Sequence, residues 1–163
     1  MSLVHIPSAD EQELFLLSRV DADQNLIPIE LFGTNRLFLQ QVIRVVDDEP
    51  GPGALETGKR CQTVSYRYRL EEPDRTPLIR WEYDREPPRE NYPYPRAHVH
   101  VHARFSDDED IERLHISTDR VALELVLWHL LTEDYWGVES KVDDWVEVFQ
   151  PSIDGFIERR TFP

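Results

Sequence analysis

Three segments in the middle of the chain alternate apolar and polar residues with a period of two. The apolar positions are Val64, Tyr66, Tyr68 and Leu70, then Ile79, Trp81 and Tyr83, then Val99, Val101 and Ala103. Such alternation predicts half-buried β-strands, because successive side chains of a strand point to opposite faces of a sheet. Since the connections are short, we expect an antiparallel meander with one apolar face and one polar face.

The C-terminal part of the chain changes to helical spacing. A first set of apolar residues falls on one helix face: Val121, Leu125, Trp128 and Leu131. We expect this helix to be capped by Ser117 or Thr118 and to end near Gly137. A second set predicts a second helix that Pro151 ends: Val142, Trp145, Val146 and Phe149.

The N-terminal part is predicted to add further strands. Residues 26–32 indicate a short edge strand, since Pro28 lacks an amide hydrogen, and residues 37–46 favour a second strand over a buried helix. Residues 47–53 and 85–95 are predicted loops, because they are rich in proline. With 163 residues, the chain predicts a single α+β domain over residues 1–163. We expect an antiparallel sheet of about five strands with one or two C-terminal helices packed on one face.

The charge and the cysteine content exclude some classes of function. The 32 acidic residues outweigh 18 Lys and Arg, so the net charge is −14 and a generally basic nucleic-acid binder is not expected. Residues 64–105, however, hold eight Arg and seven acids, a local charge of +1. Cys61 is the one cysteine of the sequence, which excludes an intrachain disulfide. We expect a cytoplasmic protein, since the sequence has neither a secretion signal nor a membrane-spanning run.

His98, His100 and His102 alternate along the third predicted strand, so their side chains share its polar face. Residues two apart on a strand lie about 7 Å from each other. Two interpretations stay open. In one, the imidazoles converge on a divalent transition metal together with His115 and a carboxylate such as Glu82. In the other, they flank a substrate as general acid and base without a metal. A plain polar surface is the non-functional alternative.

Arg67, Arg69 and Arg80 fall on the same face as the histidines. Guanidinium groups suit phosphate or carboxylate, so these three arginines are candidate substrate-binding residues. Histidines beside arginines can cleave RNA: one imidazole takes the 2′-hydroxyl proton, another protonates the leaving oxygen, and arginine stabilises the charge on the phosphorus. The alternative is that the arginines pair across strands with acids such as Glu82.

Residues 64–131 contain, in order, Tyr66-Arg-Tyr68, Leu78-Ile-Arg80 with Asp84, a proline-rich bend, His98-Val-His100 and a closing predicted helix. With this order they resemble the TumE-type proteins, small toxins of bacterial toxin–antitoxin operons. The resemblance implies an antiparallel sheet with a C-terminal helix, a bacterial cytosolic setting and an antitoxin as partner.

Two functional hypotheses follow. In the first, the chain is a toxin-like phosphodiesterase, a ribonuclease with RNA as substrate, in which His98, His100 and His102 are catalytic. In the second, it is a non-enzymatic acidic module, antitoxin-like or immunity-like, that docks a basic protein partner. An unpaired edge at residues 26–32 is also a candidate surface for a homodimer.

Overall fold

A long antiparallel sheet organises the chain. The computed structural model describes residues 2–6, 14–23, 25–31, 35–47, 58–86, 94–102, 104–106, 109–110, 115–132 and 144–158. In these ranges the strands are β1 (Ser2–Ile6), β2 (Leu14–Ser18), β3 (Ile29–Glu30), β4 (Arg36–Asp47), β5 (Lys59–Glu71), β6 (Pro77–Asp84), β7 (Ala97–Val101), β8 (Arg104–Ser106), β9 (Glu109–Asp110) and β10 (His115–Ser117). The helices are α1 (Leu123–Thr132) and α2 (Trp145–Glu158).

The main sheet follows the chain from one edge to the other. Its neighbours run β1-β2-β4-β5-β6-β7-β10, every pairing is antiparallel, and β3 pairs with β4. The strands β8 and β9 form a separate pair between β7 and β10. The predicted α+β fold with an antiparallel meander is therefore confirmed, with more strands than expected.

One face of the sheet carries the apolar core. Helix α1 contributes Val126 and Leu130, and both lie in one buried cluster with residues of four strands. The strand residues of that cluster are Leu37, Leu39, Tyr66, Tyr68, Leu70, Trp81 and Val99. Of the predicted inward positions, those of β5, β6 and β7 that pack in or against this cluster lie on the helix-covered face: Tyr66, Tyr68, Leu70, Ile79, Trp81, Tyr83, Val99 and Val101. Ala103 lies outside the described residues.

Tyr66 attaches the entry of α1 to the sheet. Its hydroxyl accepts a hydrogen bond from the Val121 amide at 2.8 Å, and its ring stacks on that of Tyr68 with centroids 4.6 Å apart. Burial raises the pKa of Tyr66 to about 12. Burial also raises the pKa of Tyr68, whose hydroxyl donates to Gln41 Oε1 at 2.7 Å. Both phenols are therefore neutral at ordinary pH.

The predicted start of the first helix is wrong. Ser117 lies in β10 opposite His98, and the Thr118 amide donates to the Ala97 carbonyl at 3.0 Å. Both predicted capping residues thus have their backbone beside β7, and α1 begins only at Leu123. The predicted end near Gly137 lies outside the described residues.

The predicted end of the second helix is also wrong, since α2 continues through Pro151 to Glu158. Proline in a helix costs about 3 kcal/mol. Packing beyond it opposes that cost, because Ile153 is buried and the Phe156 ring lies 5.1 Å from the Arg120 guanidinium. Among the described residues, no helix combines the length and apolar character needed to cross a membrane.

The N-terminal predictions are confirmed in part. Residues 37–46 form a strand, as expected, within the longer β4. Of residues 26–32, Ile29 and Glu30 form β3, and Leu26 makes an isolated bridge to Val20. Homodimerisation through this edge stays a prediction. The predicted loops fall largely on residues 48–53 and 87–93, which lie outside the described part of the chain.

Candidate functional site

The polar face brings the predicted site residues together in two rows that cross the strands. The first row joins Arg67 of β5 to Glu82 of β6, to His98 of β7 and to Ser117 of β10. The second row joins Arg69, Arg80, His100 and His115 in the same strand order. Directly opposed residues on one face of a sheet lie about 4.5–5.5 Å apart at Cβ. The register therefore places arginines, a carboxylate and histidines within contact distance.

Glu82 is the centre of this arrangement. Its Oε2 lies 3.0 Å from Nε2 of His100 and 3.3 Å from Nε2 of His98. Its Oε1 lies 3.2 Å from Nε of Arg80 and 3.4 Å from Nε of Arg67. One carboxylate thus faces two imidazoles with one oxygen and two guanidinium groups with the other. We call Glu82, His98 and His100 the carboxylate–histidine centre.

Burial increases across the face from β5 to β7. The side chain of Arg67 is 71% exposed and that of Glu82 is 17% exposed, whereas that of His98 is only 4% exposed. The polar face is therefore not a uniformly solvated surface. Its arginine side is open to solvent, and its histidine side is enclosed, which favours a site over a plain polar surface.

Hydrogen bonds orient His98. Its Nδ1 lies 2.8 Å from the Pro95 carbonyl oxygen, so Nδ1 carries the proton and donates it. In a neutral imidazole this leaves Nε2 as the acceptor nitrogen, directed at Glu82. The ring of Tyr94 lies beside that of His98, with centroids 5.8 Å apart.

His100 has two neighbours at one nitrogen. Its Nε2 lies 3.0 Å from Glu82 Oε2 and 3.1 Å from Nη2 of Arg80. The guanidinium is always a donor and the carboxylate always an acceptor. A single nitrogen cannot accept from one and donate to the other in the same protonation state. Without a proton, Nε2 of His100 accepts a hydrogen bond from Arg80; with a proton, it donates one to Glu82. A proton or another cation at this nitrogen therefore determines which of the two neighbours it binds.

His102 and His115 differ from the two central histidines. The His102 ring lies 6.4 Å from that of His100, and His102 is outside the group that surrounds Glu82. His115 is opposite His100 in the register, so its backbone returns to the site as predicted. The structure does not describe the His115 side chain. Metal ligation by His102 and His115 stays a prediction.

Two cavities flank the arginine side of the site. The first holds about 200 Å³ and is bordered by Arg67, Glu82 and His98, with Asp84 and Arg96 at its wall. The second holds about 180 Å³ and is lined by Leu26, Phe38, Gln40, Arg67, Arg69, Arg80 and Glu82. His98 borders the first, whereas His100 and His102 are not among the described residues that line either one.

The arginines are partly held by acids: the predicted cross-strand pairing is found for Arg67 with Glu82, whereas Arg80 pairs with Glu82 within β6 and Arg69 pairs with Glu71 within β5. Besides the two pairs with Glu82, Nε of Arg69 lies 2.6 Å from Oε1 of the buried Glu71. The Arg69 guanidinium also stacks 4.6 Å from the centre of the Phe38 ring. These contacts fix the direction of the guanidinium groups but do not use all five of their N–H donors. Pairing with acids and anion binding are therefore compatible for these arginines.

The carboxylate–histidine centre is also a set of metal ligands. The ligand atoms of Glu82, His98 and His100 all lie within 4.8 Å of one another. Two imidazole nitrogens and one carboxylate oxygen form a donor set that zinc, iron, nickel and manganese accept. The sequence interpretation named Glu82 as a helper of the histidines, whereas the structure places it at their centre.

Sequence analysis missed several residues of the two cavities. Asp84 lies two residues after Glu82 on β6, so the period of two already predicted its face, but not its place at the wall of a cavity. Phe38 and Leu26 come from distant parts of the chain, and no sequence pattern indicated that they approach Arg69 or Arg80. Arg96 lies just before β7, where periodicity does not apply.

No family model matches the chain, and no curated protein or solved structure is significantly similar to it. The resemblance to TumE-type toxins therefore stays a prediction. The fold and site define the chain as an α+β protein with a buried carboxylate–histidine centre beside arginine-lined cavities. A functional proposal rests on the chemistry of that site.

Proposed function

We propose that this chain is a phosphodiesterase that cleaves RNA at the polar face of its sheet. The observation that carries the proposal is the position of Glu82, which joins two buried histidines to two arginines at the border of both cavities. Cleavage of a phosphodiester needs cations that bind the phosphate and a group that accepts a proton. This site supplies both within one network of contacts.

The arginines supply the phosphate-binding part. Arg67, Arg69 and Arg80 line one cavity, and Arg67 also borders the other. Planar guanidinium groups donate two parallel hydrogen bonds to a phosphate, which gives both attraction and orientation. The local charge of +1 over residues 64–105 supports binding of an anion on a chain whose net charge is −14.

The carboxylate–histidine centre supplies the proton-accepting part. His98 borders the larger cavity, and its bond to the Pro95 carbonyl keeps Nε2 as the basic nitrogen. In the proposed reaction the 2′-oxygen of RNA attacks the phosphorus and its proton passes to this centre. The bond from phosphorus to the 5′-oxygen then breaks as one proton passes from the same centre to that oxygen, which yields a 2′,3′-cyclic phosphate and a free 5′-hydroxyl. Arg67 and Arg80 stabilise the added negative charge.

The test is cleavage of a fluorogenic RNA oligonucleotide by the purified full chain. We expect Arg67→Ala to lower kcat/KM by about 10- to 100-fold and His98→Gln by at least about 100-fold. Arg60→Ala is the matched control, because Arg60 is an exposed arginine of the same strand away from the cavities. A DNA oligonucleotide of the same sequence lacks the 2′-hydroxyl and should stay intact.

Two results would contradict the proposal. One is the absence of RNA cleavage by the unmodified chain, and the other is an equal effect of Arg67→Ala and Arg60→Ala. Arg67 is 71% exposed, so its replacement should leave the melting temperature unchanged, which separates lost activity from lost folding.

The resemblance to TumE-type toxins supports a biological role for such an activity. A ribonuclease of a toxin–antitoxin operon in the bacterial cytosol would inhibit growth when expressed alone and would bind an antitoxin. Expression of the chain and of His98→Gln in a bacterial host tests this role, and equal growth of both cultures would contradict it.

The net charge of −14 favours a second candidate, an acidic module that binds a basic protein partner. This function needs no histidine. It predicts that a partner copurifies with the chain at low salt, separates from it as salt screens the charges, and is retained by His98→Gln.

A further inference from the structure

We infer that Glu82, His98 and His100 bind one divalent transition-metal ion of the zinc class. This inference deepens the proposed function and rests on it: with the ion bound, Nε2 of His98 is a ligand, so the ion would lower the pKa of the attacking 2′-hydroxyl, whose proton would pass to solvent instead of to His98. The ion itself is argued from three ligand atoms and their surroundings.

The distances between the ligand atoms fit a tetrahedral ion. Zinc binds nitrogen and oxygen ligands at about 2.0–2.1 Å, so two ligands of a tetrahedral site lie about 3.3 Å apart. Oε2 of Glu82 lies 3.3 Å from Nε2 of His98 and 3.0 Å from Nε2 of His100. The ligand atoms of the three residues all lie within 4.8 Å of one another, a bound that includes the 3.3 Å of a tetrahedral site.

In the neutral form of His98 that the structure favours, the acceptor nitrogen Nε2 faces the acceptor oxygen Oε2 of Glu82. Because Nδ1 donates to the Pro95 carbonyl, a neutral His98 presents a lone pair at Nε2, 3.3 Å from the carboxylate oxygen of Glu82. Two such acceptors repel each other unless a cation lies between them. That cation is either a second proton on His98 or a metal ion. A metal ion is favoured because the hydrogen bond from Nδ1 to the Pro95 carbonyl is the kind of contact that orients a metal-binding histidine.

The surroundings of Glu82 also suit a ligand. Its Oε1 faces Arg67 and Arg80, so the carboxylate is held with Oε2 directed at the histidines. At metal sites, ligand carboxylates are likewise oriented by a second group, a role that the two arginine ion pairs fill for Glu82. The same arginines place positive charge near the ion, and a bound phosphate offsets that charge. We therefore expect phosphate to strengthen metal binding, and metal to strengthen phosphate binding by the same factor.

Metal binding changes the bonding of one arginine. Nη2 of Arg80 lies 3.1 Å from Nε2 of His100, at the lone pair that a metal would use. A metal at this nitrogen releases that N–H of Arg80. Arg80 also lines the smaller cavity, so the released donor remains beside the proposed phosphate site.

The experiment is isothermal titration calorimetry. Zinc chloride is added to the untagged full chain, from which metals have first been removed with a chelator. We expect one zinc per chain, and at least about 100-fold weaker binding after His100→Ala. His129→Ala is the matched control, because His129 is an exposed histidine of α1 outside the site. Titration with magnesium chloride should give much weaker binding, since magnesium prefers oxygen ligands.

A second measurement needs no variant. Cobalt(II) added to the metal-free chain should give the intense visible absorption of a four-coordinate site, and zinc should remove it. The inference is overturned if zinc does not bind at one per chain, or if His98→Ala combined with His100→Ala binds as tightly as the unmodified chain. Zinc binding without RNA cleavage refutes the proposed function alone, whereas cleavage in a chelator without zinc binding refutes the metal site alone.

Discussion

Replacement of Glu82 by Gln tests whether its charge stabilises the polar face. The substitution keeps the size of the side chain and removes the negative charge that faces His98, His100, Arg67 and Arg80. A hydrogen bond to a charged group contributes about 1.5–3 kcal/mol. The Arg67 pair adds little, because that arginine is 71% exposed. The contacts with the less exposed Arg80 and with His100, whose Nε2 lies 3.0 Å from Oε2, carry the effect, whereas without a metal a neutral His98 faces the carboxylate with its lone pair and adds nothing.

We therefore expect Glu82→Gln to lower the free energy of unfolding by about 2–3 kcal/mol. For a chain of this size that corresponds to a melting temperature about 4–12 °C lower. The assay is urea unfolding followed by tryptophan fluorescence, in the presence of a chelator so that no metal adds to the stability of the folded state. Trp81 is buried on β6 and reports on the same strand as Glu82.

Glu86→Gln is the matched control for this measurement. Its side chain is 67% exposed and lies 3.3 Å from Nη2 of Arg44, so its loss should change stability by less than about 0.5 kcal/mol. Both variants remove one negative charge from a chain of net charge −14, and the general repulsion among acids cancels in the comparison. Equal stabilities of the two variants, or a more stable Glu82→Gln, would refute the stabilising role of Glu82.

Three further predictions concern the fold. Tyr66→Phe leaves the Val121 amide without its acceptor, and we expect a loss of about 1–3 kcal/mol in thermal or urea unfolding. Burial raises the pKa of Tyr66 from about 10 in the unfolded chain to about 12 in the folded chain. The contribution of Tyr66 to the free energy of unfolding is therefore complete below pH 10 and is lost as the pH rises through 12. Tyr66→Phe should lose less stability at alkaline pH than the unmodified chain, and an equal loss would contradict this. Gly155→Ala should stabilise α2 by about 0.5–1 kcal/mol, since an added Cβ meets nothing within 4 Å, and calorimetry should show a higher melting temperature. Leu70→Ala should cost about 2–5 kcal/mol in urea unfolding, because Leu70 is fully buried, and a loss below 1 kcal/mol would place it outside the core.

A metal ion at the carboxylate–histidine centre would bring the two halves of the site together. The histidine side is buried, and the arginine side borders the two cavities. Binding of an anion by the arginines and of a cation by the histidines would then involve opposite oxygens of one carboxylate. The Glu82→Gln variant should consequently weaken zinc binding, whereas without zinc it should strengthen the binding of inorganic phosphate, because Arg67 and Arg80 lose the acid that competes with the anion; separate titrations measure both.

Errors in predicting the helices came from interactions between distant residues. Ser117 and Thr118 have the chemistry of helix caps, but their backbone lies beside β7, which no local pattern indicated. Pro151 has the chemistry of a helix end, yet the helix continues past it, where Ile153 is buried and the Phe156 ring contacts the Arg120 guanidinium. Local propensity is a weak guide when packing of the neighbouring turns opposes it.

The face of each site residue was determined by the sequence alone. Arg67, Glu82, His98 and His100 alternate with apolar residues, and the pleat of a strand puts alternate side chains on the same side whatever the remainder of the fold does. Only the tertiary structure decided that Glu82 lies between Arg67 and His98, and that His98 and His100 are buried while Arg67 is not. The physical reason is that alternation follows from covalent backbone geometry, whereas register and burial follow from hydrogen bonds and packing between strands far apart in the chain.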